Sequence, residues 1–193
     1  MTRERLVPVG AAVVLVVTGL LADARTPYAF EGDIGRWVFD LPDLLTPPLR
    51  AVMQVGGQLA IVLVAAALVV AGRYRAAGAA ALAGLAGWLA SSLLKDALDR
   101  PRPTLATLGR VPRETVDNAS WPSSHATIAF ALATVLLLTV ARGRVGRGLV
   151  IAAAVLTAVG RVHLGVHWGL DVVGGAALGV LAGSLAVMIV KPT

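Results

Sequence analysis

The stretch VVGGAALGVLAGSLAVMIV, residues 172–190, carries no charge and only one hydroxyl, that of Ser184. It is about as long as the roughly 20 apolar residues that an α-helix needs to cross the hydrocarbon core of a bilayer. Four other uncharged runs have a comparable length: 6–22, 51–72, 76–94 and 126–141. A sixth run, 148–160, reaches spanning length only if it continues past Arg161 to about residue 166. The sequence therefore predicts a bundle of membrane-spanning helices.

The composition of the whole chain agrees with this pattern. Its 193 residues are 57% hydrophobic and 15% charged, and the mean hydropathy is +0.80. A water-soluble core could not enclose that much apolar surface. We predict an all-α, polytopic membrane protein in which residues 1–193 form a single domain. The expected transmembrane helices are 6–22, 51–72, 76–95, 124–141, 148–164 and 167–190. A short interfacial helix is expected between the first and second spans, where Trp37 and Phe39 lie among prolines.

Two features of the composition have competing interpretations. The first apolar run follows Arg3 and Arg5 and precedes Ala22-Asp23-Ala24, as in a cleaved signal peptide, but it is long for a signal core. The net charge of +6 is found in nucleic-acid-binding proteins. Here, however, the cations lie between apolar runs and not on one polar face, so no nucleic acid partner is expected. The chain has no cysteine, which excludes disulfides and thiolate chemistry.

The distribution of charge gives a weak indication of topology. A cytoplasmic N-terminus places eight of the seventeen Lys and Arg residues inside and nine outside, so the raw count does not decide. Three of the outer cations, Lys95, Arg102 and Arg161, belong to the site predicted below, and without them the count is eight against six. We therefore expect a protein of the bacterial inner membrane whose charged segments, and whose active site, face outward.

Two of these charged segments mark the ends of predicted spans. The third span ends in KDALDRPRP, residues 95–103, whose prolines stop the helix near Lys95 and Arg102. Alone, these cations are typical of interfacial side chains that reach the lipid headgroups. The fourth span follows WPSSH, residues 121–125, where Ser123 or Ser124 is placed to cap the helix and His125 lies in its first turn. A helix N-terminus binds anions, although a capped helix with an interfacial histidine is an equal alternative.

The third charged segment, RVHLGVHWGLD, spans residues 161–171. If the sixth helix begins near residue 166, Asp171 lies one turn after His167 and can bind one imidazole nitrogen, which leaves the other free to attack. A structural His–Asp pair is the alternative. A metal face of His163, His167 and Asp171 is a further alternative. Gly165 weakens a continuous helix through it, and the nearby cations suit a phosphate better than a metal ion.

Taken in order, the three segments resemble the tripartite motif of the type 2 phosphatidic acid phosphatase family. The matching residues are Lys95, Arg102 and Pro103, then Pro122, Ser123 and His125, then Arg161, His167 and Asp171. The six-span layout extends the resemblance to the whole chain. Soluble vanadium haloperoxidases share the motif, but the apolar composition excludes them. The resemblance implies a metal-independent lipid phosphate or diphosphate phosphohydrolase that needs no cofactor.

The resemblance also implies a role for each matching residue. His167 would be the nucleophile that forms a phosphohistidine, Asp171 would orient it, and His125 would protonate the leaving oxygen and then activate water. The positions expected to hold the phosphoryl oxygens are Lys95, Arg102, Ser123, Ser124 and Arg161. Two residues depart from the usual pattern: Gly160 replaces a serine, and Ser124 replaces a glycine.

The sequence leaves the substrate open. A polyprenyl-type carrier lipid or a phospholipid phosphate is expected, with its tail entering sideways between helices. The four tryptophans, Trp37, Trp88, Trp121 and Trp168, could line that entrance, or anchor and pack the helices. Gly175, Gly179 and Gly183 permit close helix approach, within one bundle or in a possible homodimer. The alternative function is a non-catalytic membrane protein or transporter that binds a phosphorylated ligand in the same pocket.

Overall fold

The structure is a computed structural model that describes residues 3–22 and 26–190, and within these ranges every regular element is helical. The helices are α1 (Arg3–Ala22), α2 (Ala29–Phe39), α3 (Thr46–Met53), α4 (Gln58–Val70), α5 (Tyr74–Leu98), α6 (Leu105–Leu108), α7 (Ser124–Thr139), α8 (Gly143–His163) and α9 (Gly169–Val190). Short 3-10 turns, Asp43–Leu45 and Gln54–Gly56, flank α3. The predicted all-α class is confirmed.

Several of these helices are suited to a membrane. Among the described residues, α5, α8 and α9 are long and apolar enough to cross one. The bent pair Asp43–Gly56 and Gln58–Val70 passes the same test when taken together. The segments Leu6–Ala22 and Ser124–Thr139 are apolar but shorter. Each of the six predicted runs thus contains a helix, whereas six complete spans remain a prediction. Large apolar side chains are exposed along these helices, as expected of a protein surface covered by lipid.

The second predicted span, 51–72, is not one continuous helix. It is broken at Gly57, and the helical segments on either side of this residue are bent by 64°. Next to the break lies a close backbone approach at Gly56, where a Cβ would lie 2.4 Å from the carbonyl oxygen of His125 and 2.8 Å from Cγ2 of Thr157. Only glycine fits at this position, and the close approach places the start of α4 beside the first turn of α7.

The centre of the bundle is α9, which packs against α1, α5 and α7. Three of its glycines face α7. A Cβ on Gly175 would lie 2.5 Å from the carbonyl oxygen of Ser123, and one on Gly179 would lie 2.4 Å from that of Thr127. Gly183 approaches Thr134 of α7 in the same way. The glycine stripe therefore serves packing inside one chain, and the possible homodimer remains untested.

The connection between α1 and α4 contains α2 and α3. Helix α2 exposes Phe30, Ile34 and Trp37, and it buries Glu31 and Phe39 against the bundle. Its exposed apolar face fits the predicted interfacial helix, but its placement at a membrane surface remains a prediction. Residues 23–25, which contain most of the alternative cleavage site, lie outside the described residues.

Candidate active site

Four helix ends and the turn before α9 meet around one cavity of about 430 Å³. They are the C-terminal ends of α5 and α8 and the N-terminal ends of α4 and α7. Predicted site residues that line it are Lys95, Arg102, Ser124, His125, Arg161 and His167. The other two predicted residues, Ser123 and Asp171, are fully buried next to lining residues. Residues that the sequence analysis did not assign to the site also line it, including Gln58, Trp88, Glu114, Val116, Asn118 and Ile128.

His167 lies in a turn and not on the last helix. Helix α8 ends at His163, Gly165 turns the chain with a φ of +73°, and α9 begins at Gly169. The expected helix start near residue 166 is therefore wrong by about three residues. His167 and Asp171 meet because the turn folds back: Nδ1 of the imidazole lies 3.4 Å from Oδ2 of the carboxylate. This Nδ1 is buried and makes no well-aligned hydrogen bond.

Asp171 is held by contacts that the sequence analysis missed. Its Oδ2 accepts a hydrogen bond of 2.7 Å from the backbone N–H of Trp168. Its Oδ1 accepts one of 2.7 Å from Arg100, a buried side chain that also grips Glu31 of α2 through both guanidinium Nη atoms. Burial lowers the pKa of Arg100, but its bonds and charge interactions with the two carboxylates raise it more, so the net shift is upward. Neither Arg100 nor Glu31 carried a sequence signal beyond its charge.

Lys95 and Arg102 hold the segment that leads into α7. Nζ of Lys95 donates to the carbonyl oxygens of Ala119 at 2.8 Å and Ser120 at 3.0 Å. Arg102 donates to the backbone and side-chain oxygens of Asn118, both at 2.6 Å, and to the carbonyl oxygens of Ala119 and Val166. Burial and the charge of Arg161 lower the pKa of Arg102 to about 10, so it stays positive at neutral pH. The alternative of solvent-reaching interfacial cations does not describe Lys95, which is 5% exposed.

Arg161 enters the cavity from the end of α8. Its side chain is 4% exposed, and Nη1 lies 2.9 Å from a carboxylate oxygen of Glu114. Its Nε is buried without a hydrogen-bond partner in the described part of the protein. Glu114 lies in the loop between α6 and α7, and an isolated acidic residue in a loop gives no pattern from which this pairing could be predicted.

The start of α7 brings two serines and His125 together. Ser123 occupies the N-cap position, but its side chain makes no capping bond, so the predicted capping interaction is wrong. Its Oγ is instead buried without a hydrogen-bond partner among the described residues. Ser124 lies 2.9 Å from the hydroxyl of Ser91 on α5. The N–H groups of a first helical turn have no intrahelical acceptor, so this end of α7 suits an anion.

The two departures from the family pattern have local explanations. A Cβ on Gly160 would lie 2.6 Å from Sδ of Met53, which therefore fills the place of the usual serine side chain. The extra hydroxyl of Ser124 lines the cavity and has Ser91 as its partner.

The alternative metal face does not form on one helix, since its first residue ends α8 and its last lies in α9. His163 makes contacts of its own, to the hydroxyl of Thr46 at 2.9 Å and the carbonyl oxygen of Val38 at 3.2 Å. In the described ranges, no cluster of three His, Cys, Asp or Glu residues could hold a metal ion.

The charges around the cavity favour an anion and a neutral nucleophile. Burial lowers the pKa of His167 well below its usual value, and the positive charges of Arg102, Lys95 and Arg161 lower it further. Its imidazole is therefore neutral at physiological pH. Nε2 lies 3.2 Å from Nη1 of Arg102, so the lone pair on this nitrogen faces the cations. The site can hold an oxyanion beside an unprotonated imidazole.

Comparison with known proteins gives one family. Residues 74–192 match the family model of the PAP2 superfamily. An undecaprenyl-diphosphatase of Sulfolobus acidocaldarius is 43% identical over 70 residues, which cover 36% of this chain and 33% of that protein. The match therefore spans about a third of that relative's length.

Two solved structures have a similar fold. LpxE of Aquifex aeolicus is 23% identical with a TM-score of 0.74, and the match covers 83% of this chain and 96% of that chain. A transmembrane PAP2-type phosphatidylglycerolphosphate phosphatase from Bacillus subtilis is 21% identical with the same TM-score, and the match covers 96% of each chain. At these identities the likeness shows the fold alone: both solved structures share the helical fold of this chain.

Proposed function

Because this chain belongs to the PAP2 superfamily, we propose that it is a lipid phosphate phosphohydrolase that works through a phosphohistidine on His167. One observation carries the proposal: the neutral imidazole of His167 lies between Asp171, 3.4 Å away, and a cavity with three cationic side chains. Phosphoryl transfer requires mainly in-line positioning and stabilisation of charge on the phosphoryl oxygens. Lys95, Arg102 and Arg161 supply that charge without a metal.

In the first step, Nε2 of His167 attacks phosphorus on the side opposite the lipid oxygen. The P–N bond forms as the P–O bond breaks, and the departing oxygen takes a proton from His125. Asp171 accepts a hydrogen bond from Nδ1–H of His167, without taking the proton, and stabilises the positive charge that develops on the ring.

In the second step, His125 removes a proton from water as the water oxygen attacks the phosphohistidine. The P–N bond breaks as the new P–O bond forms, so inorganic phosphate leaves, His167 returns to its neutral state and His125 returns to its protonated state. One histidine thus acts as acid and then as base, as the two half-reactions require.

The phosphate ligands are proposed from donors that the protein leaves unused. Nε of Arg161 and Oγ of Ser123 are buried and have no partner among the described residues, which is costly unless a ligand binds them. The N–H groups of Arg102, in contrast, already donate to carbonyl oxygens and contact Nε2 of His167. We infer that phosphate takes over the Nη1 contact and thereby frees the nucleophilic lone pair.

The proposed substrate is a polyprenyl-type carrier lipid carrying a phosphate or diphosphate. The name of the Sulfolobus relative, undecaprenyl-diphosphatase, supports this class, and a phospholipid phosphate is the alternative. Trp88, Val116 and Ile128 give the cavity an apolar side that suits the first carbons of the lipid tail. We place the site at the outer face of a bacterial inner membrane, from the charge distribution of the sequence.

The test is phosphate release by purified, detergent-solubilised protein. A polyprenyl diphosphate, a polyprenyl monophosphate and phosphatidic acid are compared, with EDTA present throughout. Wild-type protein is expected to release phosphate from at least one lipid, and His167→Ala to lose about a thousandfold or more in rate. Radiolabelled phosphate should be trapped on the wild-type histidine in acid-labile, alkali-stable form. Binding of all three lipids without turnover would favour the non-catalytic alternative, and full activity of His167→Ala would refute the mechanism.

A further inference from the structure

Behind the proposed nucleophile lies a buried chain of charges whose last two members are not part of the family motif. It runs from His167 through Asp171 and Arg100 to Glu31. The side chains of the last three are 0–1% exposed. Burying three charged groups is costly unless each is paired and hydrogen-bonded, and here Arg100 makes charge-assisted hydrogen bonds to both Asp171 and Glu31.

The geometry fixes both oxygens of Asp171. Oδ1 is bound by Arg100 at 2.7 Å, and Oδ2 is bound by the N–H of Trp168 at 2.7 Å. With both oxygens tethered, the carboxylate cannot rotate about its last bond, and Oδ2 stays 3.4 Å from Nδ1 of His167. Orientation of a catalytic imidazole by a fixed carboxylate sets its tautomer as well as its direction.

Glu31 holds the other side of Arg100. Its Oε2 lies 2.7 Å from Nη2 and its Oε1 lies 3.1 Å from Nη1, which is a bidentate fork. Oε1 also accepts the N–H of Leu170 at 2.9 Å, so Glu31 restrains the backbone of the turn that carries His167. Glu31 thus contributes both a negative charge and a backbone contact.

We propose that Arg100 and Glu31 are positioning residues, which fix the orientation and the charge that Asp171 presents to His167. This inference rests on the proposed function only for its kinetic consequences, because the geometry can be tested without turnover. Arg100 contributes mainly geometry, since a guanidinium holds two carboxylates in a rigid planar fork, whereas the donors of an ammonium are rotatable and fix no such arrangement. Glu31 contributes mainly charge, since its carboxylate compensates the positive charge of Arg100 and so keeps Asp171 a strong hydrogen-bond acceptor for His167.

Other ionisable groups also act on His167 and stay constant in the experiment. They are Lys95 from α5, Arg102 from the segment after α5, His125 from α7 and Arg161 from α8. They act on the phosphate as well as on His167. Changes at Arg100 and Glu31 should therefore appear in kcat and not in KM, because neither side chain lines the cavity.

The experiment compares Arg100→Lys and Glu31→Gln with Asp33→Asn as a matched control. Asp33 lies on the same helix as Glu31, is 71% exposed and pairs with Arg36 at the surface. Arg100→Lys is expected to lower kcat about tenfold and to leave KM within about twofold of wild type. The acid limb of the pH profile of kcat should not shift in this variant. Glu31→Gln should lower kcat less and move the acid limb of kcat down by about half to one pH unit, because a negative charge near the imidazole is lost. The control should match wild type.

A second readout needs no activity. Nitrogen-15 NMR of the three histidine side chains reports the tautomer of His167, expected to be Nδ1–H in wild type and in the control and mixed in Arg100→Lys. Wild-type kcat together with a pure Nδ1–H tautomer in folded Arg100→Lys would overturn the inference. An unshifted acid limb in Glu31→Gln would overturn the charge role; if that variant does not fold, the Arg100→Lys result decides. Inactive wild-type protein with the expected tautomers would refute the proposed function and leave the positioning role standing.

Discussion

Introducing the usual family serine at position 160 tests how this chain fills its site. A Cβ on Gly160 would lie 2.6 Å from Sδ and 2.9 Å from Cγ of Met53, well inside contact distance, and 3.6 Å from Cβ of Leu49. Met53 is 4% exposed and packs with Leu164 and Val166, so its side chain has little room to move. The end of a methionine is nevertheless flexible. We expect Gly160→Ser to cost about 1–3 kcal/mol, the usual range for overpacking a core.

Two other glycines serve as matched controls for the loss of stability expected from Gly160→Ser. A Cβ on Gly175 would meet backbone, the carbonyl oxygen of Ser123 at 2.5 Å, which cannot turn aside. Gly175→Ala should therefore be more damaging than Gly160→Ser. At Gly78, the nearest atom is 4.0 Å away, a methyl carbon of Val190. Gly78→Ala should stabilise the protein by about 0.5–1 kcal/mol through helix propensity alone.

The assay is thermal unfolding in detergent, with the double variant Gly160→Ser and Met53→Ala completing a cycle. For a chain of this size, about 1 kcal/mol corresponds to roughly 2–4 °C in Tm. Met53→Ala alone should cost about 2–5 kcal/mol by leaving a cavity. The double variant should be more stable than the sum of the single losses, by about 0.5–3 kcal/mol, because the serine occupies the vacated space. Additive losses, or a neutral Gly160→Ser, would refute the view that Met53 occupies this place.

Two further predictions concern the charges of the site, and a third concerns the side of the membrane on which it lies. Arg102→Gln removes a positive charge that lowers the pKa of His167. The acid limb of the pH profile of kcat/KM, expected below pH 6.5 in wild type, should therefore move up by about one pH unit. A downward shift would contradict the role assigned to His167. Glu114→Gln should lower KM for a lipid phosphate about three- to tenfold at similar kcat, since Glu114 competes for Arg161; an increased KM would mean that Glu114 positions Arg161 instead. In this cysteine-free chain, an impermeant maleimide added to intact cells should label Val111→Cys and not Val145→Cys, both exposed valines; the reverse pattern would place the site inside.

The sequence was sufficient for the long helices and for six of the fourteen residues that line the cavity. Long uncharged runs predict helices because a buried backbone must bond to itself. The matching residues could be brought together because they fall at the ends of those runs. The break at Gly57 was missed, since an apolar run gives no sign that Gly56 will meet the carbonyl oxygen of His125. The start of α9 was placed too early. Gly165, two residues before His167, has a positive φ that turns the chain, and the sequence alone does not show this conformation.

The pairs that hold the site could not be predicted for a different reason. Glu31 and Arg100 are 69 residues apart, and Arg161 and Glu114 are 47 apart. Each charged residue lay in a segment already rich in charge, so its partner could not be distinguished from its neighbours. Only the packing of α2 against α8 and α9 shows that Glu31 is buried and must be paired.

The cations of the site have a second role, which explains how they can remain together. Three like charges around one cavity repel each other, and carbonyl dipoles compensate two of them: Lys95 binds Ala119 and Ser120, and Arg102 binds the same segment. Only Arg161 relies on a carboxylate, that of Glu114. We therefore expect replacement of Lys95 or Arg102 to loosen the segment before α7 as well as to remove charge, whereas replacement of Arg161 should leave that segment in place and leave Glu114 unpaired. The binding energy of a phosphate is then the difference between its contacts and the carbonyl contacts it displaces, which favours a ligand with two or more negative charges.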